Sequence, residues 1–157
     1  MLNLSTNKLL IMNNDTIREI DRMFVIRRTR ILGIAILVGV FLVYIFGVFL
    51  PTDNTNPEYA FLNHISFIFC AALCTGSLFL KRILIKKVDD KNFAAQYFNA
   101  HVLPFALCDL GGLICITANL FINLNIVYAS AGFLLAAVMI VLNFPKSGEI
   151  NVRNKIS

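Results

Sequence analysis

"VLPFALCDLGGLICITANLFI", residues 102–122, is a run of 21 residues in which Asp109 is the single charged side chain. Reading this stretch decides the fold. A helix of about 20 apolar residues crosses the ~30 Å hydrocarbon core of a bilayer. It also satisfies its own N–H and C=O groups where no water is available. Three more runs of this kind lie at residues 31–50, 61–80 and 126–144. The chain of 157 residues is 58% hydrophobic and only 15% charged, against about a quarter charged in an ordinary soluble domain. The expected fold is therefore all-α: a polytopic membrane protein of four transmembrane helices, residues 31–145. The first run is too long and too far into the chain for a signal peptide, and no small-residue cleavage site follows it. Met12 is an alternative start, because the residues before it show no packing pattern.

Charge gives the threading. The 14 Lys and Arg residues fall in three groups: residues 8–30 before the first run, 81–91 after the second and 146–155 after the fourth. The loops "PTDNTNPEY" and "INLN" carry none. The positive-inside rule then places both termini and the middle loop in the cytoplasm. A net charge of +5 distributed this way follows from topology. It implies contact with the bilayer and with anionic lipid headgroups, and no nucleic-acid partner.

Residues 1–30 are expected to form a cytoplasmic and interfacial segment. In "TIREIDRMFVIRRTR", residues 16–30, Thr16 and Glu19 have capping-box spacing. Ile17, Ile20 and Phe24 recur at helical intervals, so a short amphipathic helix at the interface should precede the first span, the alternative being one continuous first helix that protrudes slightly. Phe93, Tyr97 and Phe98 of the middle loop could rest at the same level. Residues 146–157 form a cytoplasmic tail.

Asp109 is the one acid inside a run. A carboxylate at the membrane centre costs about 3 kcal/mol on insertion scales, so it should face other helices. With a rise of ~1.5 Å per residue it lies roughly 10 Å inside the hydrocarbon. Matching depths offers Thr75 and Ser77 of the second helix as hydroxyl partners. Asp109 then either carries a proton or cation, or fixes helix packing through hydrogen bonds. By the same matching, His64 and Asn119 form an interhelical polar pair. Cys70 pairs in depth with Cys115, and Cys74 with Cys108, so the four thiols could approach one another. Such a cluster suits soft metals or thiol redox chemistry, whereas buried Cys also serves as a small apolar residue. The sequence points to no specific metal site and no cofactor.

Small residues recur at helical spacing: Cys108, Gly112, Cys115 and Asn119 on the third helix, Ala129, Gly132 and Ala136 on the fourth. On the second, Ala71 and Thr75 share a face with His64. This pattern lets helix backbones approach closely. From the second run onward the chain resembles small uncharacterised bacterial four-helix integral membrane proteins. The likeness rests on the acid after "AL" in Ala106-Leu107-Cys108-Asp109 and on Pro145 closing the last helix. It implies a bacterial inner-membrane location and no activity. Asp109 is similar in kind to the ion-binding carboxylate of rotary-ATPase proteolipids. However, it lies on the third helix, the termini fit poorly, and Gly33, Gly39 and Gly47 do not form a dense glycine repeat. No P-loop, nucleotide fingerprint or hydrolase elbow occurs.

The expected function is that of a structural or accessory membrane subunit, working as a homo-oligomer or with other membrane subunits and without catalysis. Proton or cation translocation through Asp109 in an oligomer is the alternative. A thiol redox or metal-binding membrane protein is the third.

Overall fold

A computed structural model describes residues 2–50, 59–89 and 92–146, with side chains from residue 19 onward. Four helices account for the described chain: α1 (Leu2–Phe49), α2 (Phe61–Lys86), α3 (Phe93–Thr117) and α4 (Ile126–Leu142). No strand occurs among the described residues. Each of the four apolar runs lies on one of these helices. Three helices are long and apolar enough to cross a membrane: the Glu19–Phe49 part of α1, α2, and α3 with its continuation to Ile122. α4 has 17 residues and a length of about 25 Å, slightly less than a full hydrocarbon core. The loop at residues 51–58 and the tail from residue 147 lie outside the described residues.

α1 takes the alternative form, one continuous helix. It runs unbroken from Leu2 to Phe49, so there is no separate short amphipathic helix, and Thr16 lies inside the helix rather than capping its start. Residues 13–32 hold no Gly or Pro, and nothing in the chain would turn the helix there. Its middle turns, at Val25 and Ile26, pack instead on a small second core. Val88, Tyr97 and Ala100 are buried, with Val25, Ile26, Leu84, Ile85 and Phe93 against them. The Arg22 guanidinium stands 5.2 Å over the Phe93 ring, within the range of a cation–π contact. Tyr97, expected at an exposed interface, is therefore an interior residue.

α2 and α3 form the most extensive pair. α1 runs parallel to α3, and glycines set how close they come. A Cβ at Gly33 would stand 2.9 Å from Phe105, and one at Gly47 would stand 2.8 Å from Leu120. Midway between them Val40 is fully buried beside Gly112. The central core joins Val40, Phe105, Ile116, Leu120, Ala129, Ala136 and Ile140 to the four cysteines.

α3 ends in a π-helical turn, Ala118–Ile122. Leu124 then takes a positive φ of 51°, the left-handed conformation that commonly ends a helix. The Asn125 N–H reaches back to the Asn119 carbonyl at 2.7 Å. Asn125 also caps α4 by accepting from the Tyr128 N–H. This short reversal sets α4 against both α3 and α2.

Candidate functional site

Polar residues on α2 recur every three or four positions: Asn63, Ser66, Cys70, Cys74, Ser77 and Lys81. All six are buried. This spacing puts them on one face of a helix, and the face points into the bundle. The result is a polar seam along its length, level with partners on α3 and α4.

At the end away from the basic residues, Asn123 Nδ2 donates to Asn63 Oδ1 at 2.7 Å and to the Tyr59 carbonyl at 2.9 Å. One turn deeper, Asn119 Nδ2 donates to Ser66 Oγ at 3.0 Å and to the Cys115 carbonyl at 2.7 Å. The thiols fill the middle. All four are free and fully buried. Cys70 and Cys74 sulfurs are 4.0 Å apart. Cys70 and Cys115 meet at Gly132, the first with its sulfur 3.9 Å from the Gly132 carbonyl and the second against its Cα, and Cys74 and Cys108 are linked through Ser77. These are the two pairings expected from helix depth. No group of three or more His, Cys, Asp or Glu side chains among the described residues is placed to hold a metal ion.

Below the thiols, Cys108 meets Ser77 Oγ at 3.1 Å. Asn143, just past α4, donates to Ser77 Oγ at 2.8 Å and to the Met139 carbonyl at 2.9 Å. Lys81 closes the seam. Its Nζ donates to the Asn143 and Phe144 carbonyls at 3.1 Å each. Arg30 of α1 donates to the Pro145 carbonyl, also at 3.1 Å. Two cations from different helices thus converge on the C-terminal end of α4, where unpaired carbonyls and the negative pole of the helix dipole favour positive charge. A buried ammonium needs such acceptors, because leaving it unbonded in an apolar interior is costly.

The helices approach closely around the thiols. A Cβ on Gly111 would lie 3.3 Å from the Cys70 Cα, and one on Gly112 would lie 2.8 Å from the Ala136 Cβ. One on Gly132 would collide with Cys115 Sγ. The small-residue stripes on α3 and α4 are therefore contact surfaces, as their spacing suggested. Tyr44 ties α1 to α4 by a 2.7 Å hydrogen bond to Ser130 and stacks on Phe133.

Several expected sites are rearranged. Ser77 is buried as foreseen, but its partners are Cys74, Cys108 and Asn143 rather than Asp109. Thr75 is exposed. Asp109 is half-buried and bonds to neither hydroxyl among the described residues. At 100° per residue it lies roughly 40° round α3 from Phe105, towards Leu120. Both of those residues face α1. Asp109 therefore belongs to the α1 edge of α3 and not to the α2 side.

The His64–Asn119 pair is also replaced. His64 is exposed, and its Nδ1 pairs with the Tyr128 hydroxyl at 2.8 Å. Asn119 is held by Ser66 and Cys115. The reason is the phase of α2: its buried face passes through Asn63 and Ser66, about 100° away from His64. Asn63, Asn123 and Asn143 carry no expectation from the sequence, and Lys81, expected only among the basic residues after the second run, is drawn into the bundle. The spacing of the α2 polar residues up to Lys81 is the signal that finds the seam.

No protein-family model, no curated protein and no solved structure matches the chain.

Proposed function

We propose that this is an integral membrane protein of four transmembrane helices, with both termini in the cytoplasm of a bacterial inner membrane. In this reading it serves as a structural or accessory subunit through helix–helix association. The observation that carries the reading is the central seam. Its hydroxyls, amides and thiols bond across helices, and backbone-close contacts at Gly111, Gly112 and Gly132 bring the helices together around them. Polar groups arranged this way hold helices together where the hydrophobic effect between helices is absent. The outward faces support the membrane placement: Phe46, Phe49, Ile68 and Val127 are each at least 65% exposed, as suits contact with lipid. Arg30 and Lys81 meeting at one end of the bundle supports a single cytoplasmic side for the termini and middle loop.

The experiment is affinity purification from native membranes in mild detergent. A subunit of fixed stoichiometry in a larger assembly, or a defined homo-oligomer, is the expected result. A monomer with no membrane partner would contradict it.

A second reading rests on Asp109, a carboxylate within a transmembrane-length helix and outside the bonded seam. Repeated around an oligomer, it could line a route for protons or cations. The converging thiols leave a third, redox reading. It rests on four buried free thiols, with the Cys70 and Cys74 sulfurs 4.0 Å apart.

A further inference from the structure

A cleft of about 530 Å³ opens between the C-terminal turns of α2 and the end of α4. Lys81, Arg82 and Lys86 line it from α2, Lys146 from beyond α4, with Leu78 and Leu142 as apolar walls. Among the described residues, no acidic side chain lines it. Lys81 is buried and turned to the α4 carbonyls. Arg82, Lys86 and Lys146 are exposed. Like charges gathered at one opening repel one another, more so where the surroundings are of low dielectric. An anion seated between them relieves that repulsion.

We infer that this cleft is a binding site for the headgroup of an anionic phospholipid, one with two phosphates fitting better than one. Lipid is favoured over a soluble phosphate by what adjoins the cleft. Leu142, one of its walls, is about half exposed, and Phe79 and Ile83, each next in sequence to a lining residue of α2, are 60% and 53% exposed. A phosphate held by the cations would leave its acyl chains lying along this apolar surface. Basic pockets between helices at the cytoplasmic boundary bind such headgroups. Arg82 adds a planar fork of donors that can bond a phosphate in two places, with lysines as point charges beside it. The arrangement differs from a diffuse basic rim, because its charges come from α2 and from the segment after α4 and share a walled space.

The inference rests on the membrane placement proposed above, which alkaline extraction of native membranes tests separately. Release of the chain into the soluble fraction would end that placement, and with it this site. For the cleft itself, the full chain is purified in a neutral detergent and titrated with tetraoleoyl cardiolipin, dioleoylphosphatidylcholine or inorganic pyrophosphate. Bound lipid is counted by native mass spectrometry, and the unfolding temperature is followed. Cardiolipin should bind saturably and raise the unfolding temperature. The exposed pair Lys86→Gln/Lys146→Gln should weaken that binding about tenfold, while Arg27→Gln/Arg28→Gln, equal in charge lost, should leave it nearly unchanged. Equal weakening by both pairs would reduce the site to diffuse surface charge and overturn the proposal. So would phosphatidylcholine binding as well as cardiolipin. Stabilisation by pyrophosphate equal to that by cardiolipin would assign the cleft to a soluble anion and overturn the lipid assignment.

Discussion

Asn143 Nδ2 lies 2.8 Å from Ser77 Oγ, joining the end of α4 to the interior face of α2. The same amide holds the Met139 carbonyl, and the Asn143 carbonyl accepts from Lys81. One residue after α4 thus fixes the phase of α2 and completes the cap of its own helix. Replacing it with Ala removes the side-chain bonds and leaves Ser77 with fewer buried partners. Interhelical bonds of this kind contribute about 0.6 kcal/mol on average in membranes and up to about 1.7. Asn143→Ala should therefore lower unfolding stability by about 1–2 kcal/mol, measured by denaturant titration in bicelles. Thr75→Ala, at an exposed position of the same helix, should change it by less than about 0.5 kcal/mol. Equal effects at the two positions would remove Asn143 from the seam.

The glycines separate close packing from mere composition. Gly132→Ala places a methyl group on Cys115, whose Cβ is 2.9 Å from the added atom. Overpacking of this sort costs about 1–3 kcal/mol. Gly39 and Gly76 meet nothing within 4 Å, and Ala there should be neutral or stabilising by up to about 1 kcal/mol through helix propensity. The check is the order of thermal stability: Gly132→Ala below wild type, Gly39→Ala and Gly76→Ala at or above it. A stable Gly132→Ala protein with unchanged α3–α4 cross-linking would show that the helices do not meet there.

Much of this bundle is legible before any coordinates, and the failures have physical causes. Helix rise alone pairs Cys70 with Cys115 and Cys74 with Cys108, because depth along antiparallel helices depends only on residue count. Small-residue spacing likewise finds the inner faces of α3 and α4. The phase of α2 is ambiguous in the sequence because two of its faces look alike. His64, Ala71 and Thr75 are small or polar, and so are Asn63, Ser66, Cys70 and Ser77. What distinguishes them is Lys81, drawn inward by the carbonyls ending α4, and periodicity within one helix does not show a partner on another. Depth alone brings Asp109 level with Thr75 and Ser77 of α2, but depth fixes a level and leaves the direction open. The unbroken α1 was legible from the missing Gly and Pro, yet basic residues ahead of an apolar run suggested a turn that the backbone has no reason to make.

Threading gives a direct labelling outcome. Single cysteines introduced at Asn54 and Asn151 should react with a membrane-impermeant maleimide from opposite sides of sealed vesicles. The four native thiols are buried and should stay unlabelled until the protein is denatured. Labelling of both introduced positions from the outside would reverse the assignment of the C-terminal side.

In the proposed role the bundle serves helix–helix association and passes no ions. Its most direct test is the purified protein reconstituted into liposomes, with proton and monovalent-cation flux measured for wild type beside Asp109→Asn. Asn keeps the size and hydrogen bonding of the side chain and removes its charge. The account predicts flux no greater than that of empty liposomes for both proteins. Flux through the wild type that disappears in Asp109→Asn would contradict it and establish the translocation reading in its place.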